Sequence, residues 1–209
     1  MSDVEKTEKI DGDVRMLAAM AYGEASSAND EKEIYALASV LERQREARGY
    51  ATIKDLGTQD RTFSFVTSDG NKRYTAFQKA TDAQAQNDAG MKIAIAAAKN
   101  AKAGGVDYSN GAYFWDGADI KSNYAKHFKV RKGIKIMDPA HNIYNIKDST
   151  NLVILNKLVK KKVGGKIVTE KVEVGRYDHI YESTAASGGT IFWKQSDDYL
   201  NVTKAKPYL

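Results

Sequence analysis

The spacing of apolar residues changes once along this 209-residue chain, and that change constrains the fold more than any other feature. From Val14 onward, apolar residues in the first half recur at steps of three and four, which predicts amphipathic helices. In the second half, the stretch LVILNKLVKKKVGGKIVTEKVEVGRYDHIY alternates β-branched and polar residues around Gly164 and Gly165. This alternation predicts a β-hairpin. The sequence therefore predicts an α+β fold in which a helical portion precedes a strand-rich portion.

The first half is expected to hold four helical stretches. The first begins near Asp13, and the second runs to Arg48, where Gly49 stops it. A third covers roughly 73–87, and the fourth is the alanine-rich segment GMKIAIAAAKNAKAGG. In the second half, GTIFWKQ is a candidate for a further strand. We divide the chain into a polar N-terminal segment (1–12), a helical catalytic portion (13–125) and a basic β-rich portion (126–209) packed on it.

Charge is distributed unevenly between the two halves. Residues 1–120 contain 15 Lys and Arg against 19 Asp and Glu, whereas residues 121–209 contain 17 against 8. A basic second half is typical either of a solvated lysine-rich surface or of a surface that binds a polyanion such as an acidic cell-wall polymer. Nucleic acid is not the expected partner, because no nucleic-acid-binding motif is present. No run of about 18 apolar residues exists, so no membrane span is expected.

One acid has an unusual setting at the end of the first helix. In MLAAMAYGEASSAND, Glu24 follows Gly23 and closes an otherwise apolar segment. The C-terminal end of a helix is the unfavourable end for a negative charge, which weakens a purely structural explanation of Glu24 a little without removing it. Later stretches, RTFSFVTSDGNKRYTAFQKA and AGGVDYSNGAYFWDGAD, add aromatic and acidic residues that could line a site.

In this order, AYGEA, ALASVLERQ and these two stretches resemble the cell-wall hydrolase family that includes the catalytic domain of spore-cortex-lytic enzymes. The resemblance covers roughly residues 13–120. The family's Tyr-Gly-Glu-Ala is matched at residues 22–25, and its second helix, which ends in Asn-Arg, is matched at residues 38–43. Two positions depart from the pattern, since Glu42 replaces the usual Asn and Thr62 replaces a Gln before Phe-Ser.

The resemblance implies a compact lysozyme-like, lytic-transglycosylase-type domain that acts on peptidoglycan glycan strands. A single Glu suffices for the transglycosylase reaction, in which Glu24 would protonate the leaving glycosidic oxygen and then accept the proton of the muramic 6-hydroxyl. The substrate N-acetyl group stabilises the intermediate, so the second carboxylate of ordinary glycosidases is not needed. Gly23 would leave room for a sugar to approach. The alternative is that Glu24 only hydrogen-bonds the following turn or pairs with a lysine.

Further residues of the matching stretches are candidates for substrate binding. Aromatic faces stack on sugars, and amide and carboxylate groups bind hydroxyls. The candidates are Tyr22, Ser64, Phe65, Asn71, Tyr74, Tyr113, Trp115, Asp116 and Asp119. For the aromatic stretch the alternative is a core strand, because in a strand at most half of its side chains can face one side. For Asn71 it is an ordinary Asp-Gly-Asn turn.

No metal ion and no cofactor is expected. The chain has no cysteine, which excludes disulfides and zinc–thiolate sites. Its three histidines, His127, His141 and His179, could build a zinc site with nearby acids, but no H-E-x-x-H or similar spacing occurs.

The leading hypothesis is a peptidoglycan-cleaving enzyme, a lytic transglycosylase or else a muramidase. The polar N-terminus carries no signal peptide pattern, so we expect synthesis in the cytoplasm and action at the bacterial cell wall or periplasm after specialised export or phage release. An antibacterial effector would require export machinery and a cognate immunity protein that plugs the cleft. The alternatives are a non-catalytic module that binds cell wall or polyanions, and a metal-dependent wall peptidase or amidase.

Overall fold

A computed structural model describes residues 8–63 and 70–209 of the chain. Helices dominate the N-terminal half and strands the C-terminal half, which confirms the predicted α+β class. Within the described residues, no helix is both long enough and apolar enough to cross a bilayer.

The described part of the first half, residues 8–63 and 70–102, forms six helices. They are α1 (Gly12–Glu24), α2 (Glu31–Arg48), α3 (Ile53–Gln59), α4 (Lys72–Lys79), α5 (Asp82–Asn87) and α6 (Ala89–Lys102). The side chains of Asp11 and Asp30 accept hydrogen bonds from the first turns of α1 and α2. Gly49 ends α2 in a left-handed conformation, with φ of 76°. These caps explain why the first two predicted helices are confirmed at their expected positions.

The predicted helical stretch at 73–87 is instead two helices. Ala80 is extended, and Thr81 begins α5 with a capping box in which its side chain and that of Gln84 each bond the other's backbone N–H. Because the cap satisfies the N–H groups of a new first turn, the chain changes direction here rather than continuing as one helix.

Helices α1, α2 and α6 pack together around the first hydrophobic core. Leu17, Ile34 and Leu37 are fully buried in it. The small side chains Ala94, Ala97 and Ala98 on α6 are buried as well, and their size permits close approach of the helices. Burying each of the large aliphatic side chains stabilises the fold by about 1.5–3 kcal/mol.

The second half contains short helices and six strands. The strands are β1 (Phe114–Asp116), β2 (Ile134–Lys135), β3 (Val153–Val163), β4 (Lys166–Tyr177), β5 (Tyr181–Ser187) and β6 (Thr190–Gln195). The helices are α7 (Asp119–Ser122), α8 (Phe128–Lys132) and α9 (Asp197–Thr203), with 3-10 turns at Tyr124–Lys126 and Pro139–His141. The strand expected from GTIFWKQ is confirmed as β6.

Four of the strands form one sheet in the order β1-β6-β5-β2. Strand β1 runs antiparallel to β6, with Phe114 opposite Trp193, and β2 runs parallel to β5. The sheet therefore joins a strand from residues 13–125 to strands from residues 126–209. On β6, Phe192 faces the helical core while Trp193 enters a second core with Ile120 and Val130.

Strands β3 and β4 form a separate two-stranded hairpin, which we call the ribbon (153–177). Gly164 and Gly165, both with positive φ, make its turn, so the predicted hairpin is confirmed. Near its base, Gly175 packs against Val202 and Tyr177 lies edge-on to Tyr199, with 5.2 Å between ring centroids. Most ribbon side chains are exposed, and its seven Lys and Arg against two acids make it strongly basic.

Candidate functional site

The carboxylate of Glu24 lies at the C-terminal end of α1, where the apolar face of the helix gives way to a polar loop. The Ala25 N–H still bonds the Ala21 carbonyl at 3.0 Å, so Glu24 is held in a regular last turn. Its side chain is half-buried, and the indole Nε1–H of Trp115 donates a hydrogen bond of 3.0 Å to Glu24 Oε2. The first helix and strand β1 thus meet at this carboxylate.

Glu24 opens onto a cleft of about 550 Å³. This volume is within the range of about 300–1,000 Å³ that is usual for small-molecule sites. The lining residues are Glu24, Ser26, Glu33, Trp115, Asp116, Gly117, Ala118, Asp119, Tyr144, Gly189 and Thr190. The cleft therefore combines four carboxylates, two aromatic side chains and glycine backbone in one concave surface.

One wall of the cleft is strand β1 and the loop after it. Trp115 packs toward the helical core, with its ring 6.0 Å from that of Phe63, while Phe114 packs toward the second core, edge-on to Tyr181 at 5.5 Å. Alternation along the strand thus directs Trp115 to the Glu24 side. Tyr113 instead lines an adjoining cavity of about 240 Å³, of which Trp115 and Asp116 are also part.

The opposite wall is built on Glu33, whose side chain is fully buried. Glu33 Oε2 accepts from the Ser26 backbone N–H at 3.1 Å and the Ser26 hydroxyl at 2.6 Å. Its Oε1 accepts from the Gly189 N–H at 2.9 Å and the Thr190 hydroxyl at 2.8 Å. One carboxylate thus ties the loop after α1 to the turn between β5 and β6.

Tyr144 closes the same wall. Its hydroxyl donates a hydrogen bond of 2.5 Å to the Gly189 carbonyl. Burial, followed by the charges of Glu33 and Asp119, raises the pKa of Tyr144 above its ordinary value. The phenol therefore stays protonated at neutral pH and keeps its donor role.

Asp116 and Asp119 lie close to His127 at the β1 end of the cleft. His127 Nε2 is 3.3 Å from Asp116 Oδ1 and 3.4 Å from Asp119 Oδ2, and the Lys129 ammonium is 2.8 Å from Asp116 Oδ1. Among the described residues, this is the one group with the composition and spacing to hold a metal ion.

The other two histidines have different partners. His141 Nδ1 contacts the Ser183 hydroxyl at 3.0 Å, and His179 is hydrogen-bonded between Asp178 and Glu182. The three histidines considered for a zinc site therefore do not converge on a common point. Only His127 reaches the cleft acids.

Three further candidate residues lie around the last turn of α1. Tyr22 is buried between the Arg73 guanidinium, 3.8 Å from its ring, and Phe77, so its contacts are those of a core residue. Asn71 caps α4 and donates from Nδ2 to the Gly23 carbonyl at 2.9 Å. Tyr74 packs against the first hydrophobic core, and burial raises the pKa of its hydroxyl.

The space beside Gly23 is taken by neighbouring side chains and is not open to a sugar. A Cβ built there would lie 3.0 Å from the Tyr74 Cβ and 3.3 Å from Asn71 Oδ1. The start of α4 already fills the space that we expected a substrate to use. Asn71 and Tyr74 thus support the turn that carries Glu24, while Ser64 and Phe65 lie outside the described residues.

Glu42, which departs from the family pattern, lies away from this cleft. It is buried and forms a bidentate ion pair with Arg45, at 2.8 and 3.1 Å.

Sequence reasoning missed Glu33 and Tyr144 as parts of the cleft, and it missed His127 as the neighbour of the cleft acids Asp116 and Asp119. Glu33 stands three residues after Asp30, the spacing of a helix cap, so its pattern looks purely local. Tyr144 lies in an irregular segment without periodicity. The spacing from Asp116 and Asp119 to His127 matches no motif, although two acids and a histidine within 12 residues were a usable signal.

No family model matches the chain, and no curated protein or solved structure is similar enough to count as a match. The likeness to cell-wall hydrolases therefore rests on the sequence stretches quoted above.

Proposed function

We propose that this chain is an enzyme that cleaves the glycan strands of peptidoglycan, with Glu24 as its acid/base residue. The observation that carries the proposal is the half-buried Glu24 carboxylate, bonded by the Trp115 indole and open to a 550 Å³ cleft. A carboxylic acid beside an aromatic face suits a glycosidic bond. The aromatic face packs on a sugar ring, and the acid reaches the bridging oxygen.

The chemistry needs one proton carrier. Protonated Glu24 gives its proton to the glycosidic oxygen as the bond from that oxygen to the anomeric carbon breaks. The resulting carboxylate then takes the proton of the muramic 6-hydroxyl, whose oxygen bonds to the anomeric carbon. The products are a 1,6-anhydro end and a free 4-hydroxyl, and Glu24 returns to its acid form.

A muramidase would use the same acid with water as the attacking group. Such a hydrolysis commonly uses a second carboxylate. Asp119 is the candidate, because its side chain is 61% exposed and lies in the same cleft, whereas Asp116 is engaged by Lys129. If Glu24 catalyses the transglycosylase reaction, the Asp119→Asn variant should therefore keep its activity. If the reaction is that of a muramidase, the same variant should lose most of its rate.

The proposal places the site of action at the cell wall or periplasm. If the protein is an antibacterial effector, its producing cell needs an immunity protein, and the cleft around Glu24 and Trp115 is the surface that such a partner would block. The export route and the immunity partner are parts of this proposal.

The test is loss of turbidity of purified peptidoglycan on addition of wild type, Glu24→Gln and a matched control, Glu46→Gln. Glu46 lies on α2 with a side chain 66% exposed, away from the cleft lining, and undergoes the same chemical change. We expect wild type and Glu46→Gln to clear the suspension and Glu24→Gln to leave it turbid.

Equal clearing by Glu24→Gln would show that Glu24 is not the acid. Binding to the wall without clearing by any of the three would favour the non-catalytic module. Clearing that stops with a chelator but persists in Glu24→Gln would favour a metal-dependent peptidase or amidase.

A further inference from the structure

The contacts of His127 are not those of an ordinary ion-paired histidine. Its Nε2 faces Asp116 Oδ1 at 3.3 Å and Asp119 Oδ2 at 3.4 Å, and both distances are longer than those of a usual N–H···O hydrogen bond. Its Nδ1 is buried and has no hydrogen-bond partner among residues 8–63 and 70–209. A buried ring nitrogen without a partner costs free energy, and an ion placed between the three groups would give Nε2 a partner.

The separations match donors that share a cation. Zinc binds imidazole nitrogen and carboxylate oxygen at about 2.0–2.1 Å, so two such donors at a tetrahedral angle lie about 3.3 Å apart. A direct hydrogen bond would bring nitrogen and oxygen to about 2.9 Å. One donor atom from each of Asp116, Asp119 and His127 lies within 4.8 Å of the other two.

Burial supplies a second argument. The His127 and Asp116 side chains are 10% and 8% exposed, and Asp116 Oδ2 is another buried atom without a hydrogen-bond partner in the described part of the chain. Asp119 is exposed and lines the cleft. The group is thus anchored on the protein side by two buried side chains and open on the cleft side.

We propose that Asp116, Asp119 and His127 bind a divalent transition-metal ion, with Zn²⁺ the best match and with free coordination positions toward the cleft. One imidazole and two carboxylates suit zinc or manganese better than calcium, which needs six to eight oxygens at longer distances. An ion here could accept a carbonyl or anionic oxygen of a molecule in the cleft. The binding site is independent of whether Glu24 cleaves glycans.

Lys129 competes for the same carboxylate. Its ammonium is 2.8 Å from Asp116 Oδ1, so an incoming cation meets a positive charge on one of its ligands. Because Asp116 Oδ2 has no partner in the described part of the chain, Asp116 can contact the Lys129 ammonium with one oxygen and the metal ion with the other. Removing the ammonium should therefore tighten metal binding, whereas in a plain ion-pair network the same change would create no metal affinity.

The experiment is calorimetric titration of the full chain, freed of metal by chelation, with ZnCl₂ and separately with MnCl₂. We expect one equivalent of Zn²⁺ to bind, Mn²⁺ to bind more weakly, and Asp119→Asn to weaken Zn²⁺ binding roughly tenfold or more. Asp119 is exposed, so this variant should fold. Lys129→Met should tighten binding several-fold.

Two controls separate this site from other effects. His141→Gln changes a histidine outside the group and should bind Zn²⁺ as wild type does, and so should Glu24→Gln. The proposal is overturned if wild type and Lys129→Met both fail to bind either ion. It is also overturned if Asp119→Asn and His127→Gln bind as tightly as wild type. If Glu24→Gln cleaved the wall as well as wild type does, the proposed glycan cleavage by Glu24 would be wrong, but the proposed metal site would be unaffected.

Discussion

Replacing Glu33 with Gln should destabilise the protein although the two side chains have nearly the same shape. Each carboxylate oxygen of Glu33 accepts one backbone N–H, from Ser26 on one side and Gly189 on the other. An amide has one acceptor oxygen, so in either orientation its NH₂ group faces a backbone donor that cannot turn away. The neighbouring hydroxyls can rotate, but the backbone N–H cannot.

The size of the destabilisation follows from the four hydrogen bonds that Glu33 accepts, two from backbone N–H groups and two from the hydroxyls of Ser26 and Thr190. One buried backbone N–H left without an acceptor costs about 1–3 kcal/mol. Loss of the charge from the remaining bonds costs about 1 kcal/mol more, because charge-assisted hydrogen bonds are roughly twice as strong as neutral ones. The expected loss is about 2–4 kcal/mol, which for a chain of this length lowers Tm by roughly 5–15 °C.

The assay is urea unfolding followed by circular dichroism, with Glu31→Gln as the matched control. Glu31 is exposed in the same first turn of α2, so its free energy of unfolding should change by no more than about 0.5 kcal/mol. If Glu33→Gln were as stable as Glu31→Gln, the carboxylate would not be what holds the cleft wall, and the reasoning would fail.

Three further predictions concern other contacts. Trp115→Phe removes the indole N–H that bonds Glu24 and should lower the rate of wall cleavage about tenfold or more; an unchanged rate would contradict this. In Asp107, burial is outweighed by hydrogen bonds from Ser109 and Gly111 and by Arg43, so its pKa is lowered. Asp107→Asn should therefore lower the free energy of unfolding by about 1–2 kcal/mol at pH 7. Urea unfolding at several pH values should show this difference from wild type becoming smaller as the pH falls below about 4. Changing Lys160 and Lys162 of the ribbon to Glu should release the protein from an anionic wall polymer at lower salt in co-sedimentation; the same change at Lys79 and Lys92 should not.

Local signals explain what the sequence predicted about the fold. Helices α1 and α2 follow from apolar spacing and from caps at Asp11, Asp30 and Gly49, all of which act within a few residues. The ribbon follows from alternation around Gly164 and Gly165. In each case the information lies inside the element itself, so no knowledge of the rest of the chain is needed.

The central sheet could not be predicted in the same way. Strand β1 has three residues and β2 has two, and they are strands only because β6 and β5 lie beside them. The partner of Phe114 is Trp193, and pairing over such a separation leaves no local pattern. The α+β class was therefore predictable, whereas the sheet order was not.

The candidate site shows the same division. Glu24 and Trp115 carried local signals, an acid on an apolar helix and an aromatic residue in an acidic loop, and the structure brings them together. Tyr22 and Asn71 share these local features but face the helical packing, which periodicity cannot distinguish from a cleft. Glu33 was missed because one of its partners, Gly189, lies 156 residues away along the chain.

The most direct measurement is mass spectrometry of the fragments released from purified peptidoglycan by wild type and Glu24→Gln, with digestion in heavy-oxygen water. We expect wild type to release fragments that end in 1,6-anhydromuramic acid without heavy oxygen, and Glu24→Gln to release none. Reducing ends that carry heavy oxygen would mean that water is the attacking group. The same fragments appearing undiminished with Glu24→Gln would contradict the claim that Glu24 is the catalytic acid.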